Sequence, residues 1–249
     1  MSESSRIVLA FLAHPDDAEF LCAGTLIRLA DAGWSVHIGT ATAGDCGSVT
    51  EDSWTIAAVR TGEARRAAAL IGATYHCLGE PDALVVYDKP TLRKTIEMFR
   101  AVGPSLVFTH PAKDYMMDHE MVHPLARAAA FICAAPNISA APLPPGARIP
   151  HLYYCDPVTG CDPSGQPVEP TTWVDITAQM ERKEQMLACH ASQRQWLQAH
   201  HGVDEYMETM RRLGRMRGEG CHCRFAEAFV QHRGHAFPQN DLLAELFGA

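Results

Sequence analysis

The sequence lacks a long apolar run. The segment ahead of His14 has only seven consecutive apolar residues, 7–13, and residues 1–6 carry no basic cluster of the kind that opens a secretion signal. A helix that spans a bilayer needs about 20 apolar residues in succession, and no stretch approaches that length. We therefore expect a soluble, cytoplasmic protein that does not act at a membrane.

Basic residues are few, and the cysteines have no pairing pattern. The formal charge is −8, from 21 lysines and arginines against 29 aspartates and glutamates, and there is no long basic run that could follow a phosphate backbone. Nucleic acid is therefore not an expected partner. Nine cysteines, an odd number without C-x-x-C spacing, indicate reduced thiols rather than a disulfide framework. The expected partner is a small molecule.

The sequence does contain alternating apolar and amphipathic segments. Hydrophobic residues make up 47% of the chain and charged residues 20%, which suffices for a sizeable core. The pattern predicts strands near 6–13, 34–42, 73–78, 105–109 and 151–155, and helices near 18–33, 60–71 and 89–102. This order predicts an α/β fold with a Rossmann-like, doubly wound, mostly parallel sheet flanked by helices.

The C-terminal part of the sequence has a different pattern. We expect a single domain over residues 1–249 with a helical C-terminal portion from about residue 175, formed by helices near 175–199 and 203–217. Met207, Met210, Leu213 and Met216 form a stripe at helical spacing. Such a stripe packs either into the core or against a second copy in a homo-oligomer.

Titratable residues follow the first predicted strand. His14, Asp16 and Asp17 stand in a short turn before a helix, and the carboxyl ends of strands line the ligand crevice of an open α/β sheet. An imidazole with a carboxylate suits Zn²⁺ or a similar divalent ion, and one more protein ligand would complete a catalytic site. Taken alone, the turn is equally compatible with a structural role in which Asp16 or Asp17 caps the helix.

A second cluster follows the fourth predicted strand and can supply the missing ligand. It contains His119-Glu120-Met-Val-His123, a match to the H-E-x-x-H helix motif, so a zincin-type metallopeptidase is one alternative. That motif needs both histidines on one face of an unbroken helix, whereas Pro124 disfavours helical geometry at His123 and clashes with the carbonyl of Glu120. We therefore predict that Pro124 lies in the first turn of a helix ending near residue 134, with His119 in the loop before it.

Several motifs together resemble the PIG-L or LmbE-like metal-dependent N-deacetylases, which act on N-acetylglucosamine-containing and related substrates. The matching segments are Ala13-His14-Pro-Asp-Asp-Ala-Glu19, Asp118-His119, Arg60-x-x-Glu63 and Cys189-His190-Ala-Ser-Gln193, within residues 6 to about 197. The resemblance implies that His14, Asp17 and His119 hold Zn²⁺, or another divalent metal such as Fe²⁺. It also implies that Asp16 is the general base. Bound zinc would lower the pKa of its water from about 15.7 towards roughly 7 and polarise an amide carbonyl.

One position departs from the family pattern. Many members carry His-Pro-Asp-His in the second motif, and the first His helps to stabilise the oxyanion, but this chain has Met116-Met117-Asp118-His119 there. A thioether donates no hydrogen bond, so another donor is expected. We favour His190 in this catalytic role, followed by Tyr115 and His110.

Arg60 and Tyr115 are the expected substrate-binding residues. Arg60 suits substrate hydroxyls or a negative group, and it is equally compatible with an exposed helix arginine paired with Glu63 one turn on. The expected activity is metal-dependent removal of an N-acyl group, acetyl first, from an amino sugar or related small polar molecule. A non-catalytic, Rossmann-like ligand-binding module is a further alternative, although the first strand is not followed by the G-x-G-x-x-G of a dinucleotide site.

Overall fold

The chain alternates strands and helices in a computed structural model that describes residues 6–194 and 205–248. The strands are β1 (Ile7–Leu12), β2 (Ser35–Thr42), β3 (Thr74–Glu80), β4 (Leu106–Thr109), β5 (His151–Cys155), β6 (Thr172–Asp175) and β7 (Ala226–Gln231). The helices are α1 (Asp17–Leu21), α2 (Ala23–Asp31), α3 (Ser53–Ala69), α4 (Lys89–Val102), α5 (Met117–Ile132), α6 (Met180–Ala188), α7 (Glu205–Gly220) and α8 (Leu242–Phe247). Within these ranges, no helix has the length and apolar character needed to cross a membrane.

The strands form one sheet in the order β3-β2-β1-β4-β5-β7-β6. The first five strands in this order are mutually parallel, and β7 is antiparallel to both of its neighbours. The chain passes from β1 to β2 on one side and later returns to β4 on the other side of β1. The predicted doubly wound, mostly parallel α/β fold is therefore confirmed, and its crevice opens at the carboxyl ends of β1 and β4.

β1 is apolar throughout because helices cover both of its faces. Val8, Ala10 and Leu12 belong to a core on one face, together with residues of α1, α2, α6 and α7. Leu9 and Phe11 belong to a second core on the other face, with residues of α4 and α5. A strand buried between two helix layers needs apolar side chains at every position, which explains its sequence.

Two helices near the N-terminus differ from their predicted bounds. The segment predicted as one helix over 18–33 is divided at Cys22, whose φ of −143° interrupts the helical geometry between α1 and α2. Helix α3 begins at Ser53, well before Arg60, because the Asp52 side chain accepts a hydrogen bond from the Thr55 N–H at 2.8 Å. This side chain caps the helix N-terminus.

The C-terminal portion is not only helical. It contains α6, α7 and α8, but it also supplies β7, which lies between β5 and β6, and neither β6 nor β7 was among the predicted strands. Residues 195–204, on which parts of two predicted helices fall, lie outside the described residues. Met210 is buried in the first core, and Met207 and Leu213 pack against it, so these three residues of the stripe face the core.

Glu227 joins β7 to the N-terminus of α2. Its carboxylate accepts hydrogen bonds from the backbone N–H groups of Gly24 at 2.8 Å and Thr25 at 2.7 Å, and from the Thr25 hydroxyl at 2.6 Å. The Lys183 ammonium of α6 lies 2.5 Å from the same carboxylate, and both side chains are buried. An anion is favoured at a helix N-terminus, so this buried cluster fixes the C-terminal strand to the first helical layer.

Lys183→Met should lower the free energy of unfolding by about 3 kcal/mol, because it leaves the Glu227 charge buried without a cation. Chemical denaturation measures this loss. Arg182→Met is the matched control, since Arg182 forms an exposed ion pair with Asp31 at 2.8 Å, and such pairs contribute about 0–1 kcal/mol. A loss for Lys183→Met no larger than that of the control would contradict the anchoring role.

Candidate active site

The two sequence clusters meet at the carboxyl ends of β1 and β4. These strands are parallel neighbours, so the turn after Leu12 and the segment after Thr109 lie side by side. His14, Asp17 and His119 can each offer one ligand atom, all within 4.8 Å of one another. The structure therefore brings together the three residues predicted to hold a metal.

Asp17 is the centre of this group. Its Oδ2 accepts a hydrogen bond from the His14 backbone N–H at 2.7 Å, and its Oδ1 lies 3.5 Å from His119 Nε2. His119 Nε2 is buried and has no hydrogen-bond partner within the described residues. Buried polar atoms are normally hydrogen-bonded, so this nitrogen is available to bind a metal. An imidazole beside a carboxylate is a pair of ligands that suits Zn²⁺ or a similar divalent ion.

Two further carboxylates orient the histidines. Asp118 Oδ2 lies 3.1 Å from His14 Nε2, and Asp114 Oδ1 lies 3.0 Å from His119 Nδ1. Asp118 is itself held by the backbone N–H groups of Ala83 at 2.7 Å and Val85 at 3.2 Å, after β3. Carboxylates that hold one imidazole nitrogen leave the other free for a metal, as in many zinc sites.

The electrostatics of the pocket favour positive charge. Burial alone would lower the pKa of both histidines, but Asp118 and Asp17 raise the pKa of His14 to about 10, and Asp17 and Asp114 raise that of His119 to about 9. Burial opposes ionisation of Asp17 as well, yet His119 and His110 hold the pKa of that carboxyl well below its usual range. A pocket that retains protons on its histidines also attracts a cation, which would replace them.

His110 lies beside the ligand group without joining it. Its ring stacks on His119 with centroids 3.8 Å apart and planes 10° apart. His110 also forms a candidate metal group with Asp114 and His119. A metal lies close to the plane of each imidazole that binds it, however, and parallel stacked rings do not direct their nitrogens at one point. Burial lowers the pKa of His110 to about 4, and its Nε2 accepts a hydrogen bond from the Ala13 N–H at 3.0 Å. The same nitrogen lies 3.1 Å from Asp17 Oδ2, so His110 is a neighbour of the Asp17 carboxylate.

Asp16 lies in an unusual backbone conformation. Its φ of 111° and ψ of −24° place it in the region that favours glycine, immediately before α1. Its Oδ2 accepts a hydrogen bond from the Tyr206 hydroxyl at 2.6 Å and lies 3.5 Å from the guanidinium of Arg60. Burial raises the pKa of this carboxyl, and Arg60 partly offsets the effect. Strained residues of this kind cluster at functional sites.

Arg60 is buried, so its interpretation as an exposed helix arginine paired with Glu63 is wrong. It is 4% exposed and donates to the backbone carbonyls of Pro15 at 2.8 Å and Gly44 at 3.4 Å. Glu63 instead accepts hydrogen bonds from the backbone N–H and hydroxyl of Ser192 at 3.0 and 2.6 Å. The reason is that α3 directs the Arg60 side chain towards the loop that carries Asp16 and not towards solvent.

The two favoured oxyanion donors differ in access. His190 has no exposed surface, and its Nε2 lies 3.5 Å from Glu19 Oε2. Tyr115 is 67% exposed, and its ring meets His119 edge-on with centroids 5.4 Å apart. Tyr115 is therefore at the open side of the metal pocket, whereas His190 lies within the protein interior.

Helix α5 is unbroken at Pro124, so the prediction that His119 precedes the helix is wrong. Pro124 lies inside α5, and both His119 and His123 belong to it. The proline costs about 3 kcal/mol or more in a helix interior, but the fully buried Val122 and Leu125 fix this segment against the core. Tertiary packing overrides the local preference.

His123 nevertheless does not complete a zincin site. Its Nδ1 donates a hydrogen bond to the His110 carbonyl at 3.0 Å, and its ring packs on Tyr154 with centroids 4.5 Å apart. None of the groups that could hold a metal within the described ranges includes His123. The H-E-x-x-H match therefore places only one of its two histidines in the pocket.

Sequence reasoning missed three residues of the site. Asp118 belongs to a motif noted in the sequence and Asp114 was not singled out, and the orienting role of each depends on which ring nitrogen it faces. No feature of the sequence indicated Tyr206, because it lies 190 positions from Asp16, its hydrogen-bond partner. A carboxylate a few residues before a predicted histidine ligand is the one feature that could have identified Asp114.

Comparisons with known proteins identify relatives of this chain. A family model described as "PIG-L: GlcNAc-PI de-N-acetylase" matches residues 9–130, which contain all three ligand candidates. A 4-oxalmesaconate hydratase of Pseudomonas putida is 28% identical over 204 residues, covering 78% of this chain and 76% of that protein. A 1D-myo-inositol 2-acetamido-2-deoxy-alpha-D-glucopyranoside deacetylase of Rhodococcus jostii is 27% identical, covering 76% of this chain and 82% of that protein.

The fold comparison covers nearly the whole chain. The structure of an N,N'-diacetylchitobiose deacetylase from Pyrococcus horikoshii matches with a TM-score of 0.78 and 24% identity, covering 96% of this chain and 89% of that one. The family match includes the clusters after β1 and β4, and the fold match includes the C-terminal strands and helices. Residues 9–130 of the chain therefore form a PIG-L (LmbE-like) domain.

Proposed function

We propose that this protein is a metal-dependent hydrolase that removes an N-acyl group, acetyl first, from an amino sugar or a related small polar molecule. The observation that carries the proposal is the convergence of His14, Asp17 and His119 within 4.8 Å, with Asp16 in the same turn. The family match and the deacetylase relatives support the same reaction. Free thiols at all nine cysteines accord with a cytoplasmic location, which we also propose.

His14, Asp17 and His119 would hold the metal, which we propose to be Zn²⁺, with Fe²⁺ as the other candidate. The donor set of two imidazoles and one carboxylate fits a catalytic zinc site. When bound, such a metal polarises the acyl carbonyl and acidifies water. Asp118 and Asp114 would keep the two imidazoles oriented, because each lies within about 3 Å of one ring nitrogen.

Asp16 would act as the general base. It would take a proton from the attacking water and deliver it to the departing amine, so that the amide is replaced by a carboxylate and a free amine. Tyr115 is the preferred oxyanion donor, because its side chain is open to substrate while His190 is fully buried. Arg60 would serve the substrate indirectly, by holding the turn that carries Asp16.

Acetate and amine release tests this proposal most broadly. The purified protein would be incubated with N-acetylated sugars, glycosides and amino-acid conjugates, with and without added Zn²⁺. Release of equal amounts of acetate and free amine that depends on metal is the expected result. No release from any N-acyl compound by metal-loaded protein would contradict the proposal.

A hydratase is the second candidate function. The 28% identical relative is named as a hydratase, and Met116 stands where many N-deacetylases carry a histidine that helps to stabilise the amide oxyanion. Addition of water to a carbon–carbon double bond also needs a base and an activated water, so the same pocket serves either reaction. Loss of the ultraviolet absorbance of 4-oxalmesaconate, without acetate release from the N-acetyl panel, would favour the hydratase.

His119→Ala should lose most bound metal, because it removes a ligand, while His123→Ala should retain it. Elemental analysis of the purified variants gives the metal-to-protein ratio. His123→Ala is the matched control, since both histidines lie on α5. Equal metal loss in the two variants would show that the H-E-x-x-H histidines act together and would revive the zincin alternative.

Asp16→Asn should retain metal and fold but lower kcat by about 10²–10⁴-fold, the usual contribution of a positioned acid–base group. Steady-state kinetics with metal content measured in the same preparation provides the test. A folded, metal-loaded Asp16→Asn protein with a near-normal kcat would exclude Asp16 as the base.

Tyr115→Phe should lower kcat by about 10²–10³-fold, as expected for loss of one oxyanion donor. His190→Ala and His110→Ala test the other two candidates. Each kcat is compared at equal metal content. A normal rate for Tyr115→Phe together with a collapse for His190→Ala would return the role to His190.

A further inference from the structure

Tyr206 connects helix α7 to the turn that carries Asp16. It lies at the start of α7, outside residues 9–130 of the family match, and its hydroxyl donates a hydrogen bond of 2.6 Å to Asp16 Oδ2. Its ring packs near Phe20 of α1, with centroids 6.1 Å apart. The phenol is thus held by contact with the helix that follows Asp16.

The two carboxylate oxygens of Asp16 have different surroundings. Oδ2 accepts the Tyr206 hydrogen bond and lies 3.5 Å from the Arg60 guanidinium. Oδ1 has no hydrogen-bond partner among the described residues. It is also not one of the fully buried side-chain atoms that lack a partner. One oxygen is therefore anchored, whereas the other has no protein partner among the described residues.

The backbone around Asp16 makes this anchoring important. Asp16 has a φ of 111°, and Arg60 donates to the carbonyl of Pro15, the residue before it, at 2.8 Å. Arg60 therefore holds the strained turn, and Tyr206 holds the carboxylate. Burial raises the pKa of Tyr206 well above its usual range, so the phenol remains a neutral donor. A carboxylate fixed at one oxygen loses little rotational freedom when it meets its substrate.

We propose that Tyr206 is a positioning residue that holds the Asp16 carboxylate by Oδ2 and so presents Oδ1 as the atom that accepts the proton of water. This inference rests on the proposed function, because it assigns the geometry of the proposed base. It gives helix α7 a role in the chemistry of a site whose other parts come from the N-terminal half.

Tyr206→Phe tests the role directly, because phenylalanine keeps the ring and removes only the hydroxyl. Hydrogen bonds to charged groups contribute about 1.5–3 kcal/mol, so kcat should fall by about ten- to a hundredfold, with KM and metal content within about twofold of the parent. Tyr75→Phe is the matched control. It also removes a half-buried phenol with a hydrogen bond of 2.7 Å, but the partner is Thr40 and not a site residue. The control should retain its kcat.

A double-mutant comparison separates positioning from general loosening. In an Asp16→Asn background, Tyr206→Phe should cause no further loss of kcat, because the two residues act through one group. An equal fold-loss in the parent and Asp16→Asn backgrounds would overturn the proposal, as would a loss shared by Tyr75→Phe. Near-normal turnover by Asp16→Asn would overturn it too, since no base would remain to be positioned.

A crystal structure of Tyr206→Phe gives a readout that does not depend on the reaction. The Asp16 carboxylate should rotate away from its parent position, while His14, Asp17 and His119 stay in place. An unchanged carboxylate would overturn the proposal even if the protein proved to be a hydratase. A rotated carboxylate in a protein without deacetylase activity would support the contact and contradict only the proposed function.

Discussion

The buried carboxylate of Asp17 is the interaction on which the site depends. It accepts a hydrogen bond from the His14 backbone and lies 3.1 Å from His110 and 3.5 Å from His119. Burial of a charged carboxylate costs free energy unless the group is paired. Contacts with histidines from two distant segments offset that cost. The neighbouring strands β1 and β4 bring those segments together, and Asp118 then orients the first histidine.

Local sequence predicted the parts of the site that follow buried strands. β1 and β4 are apolar and strand-length, so the residues after them were correctly assigned to the crevice. The proposed metal ligands were predictable because His14 and Asp17 share one turn after β1 and His119 follows β4. Family motifs then separated Asp16 from Asp17, which the residue types alone left open.

The features that sequence could not predict depend on contacts between distant segments. The penalty at Pro124 is local, but the packing that offsets it comes from a core formed by both α4 and α5. The role of Glu227 depends on α2, and that of Tyr206 on a turn 190 positions away. Arg60 has the pattern of an exposed helix residue, and only the turn packed on it shows that it is buried.

The central claim is that the pocket around Asp17 holds one catalytic metal. Anomalous diffraction at the zinc edge, from crystals of the zinc-loaded protein, locates the ion independently of any substrate. The account predicts one strong peak between His14, Asp17 and His119, with Asp118 still beside the His14 ring. A strong peak at Asp45, Cys46 and Asp82, a candidate group that shares no residue with this pocket, with none beside Asp17, would contradict it.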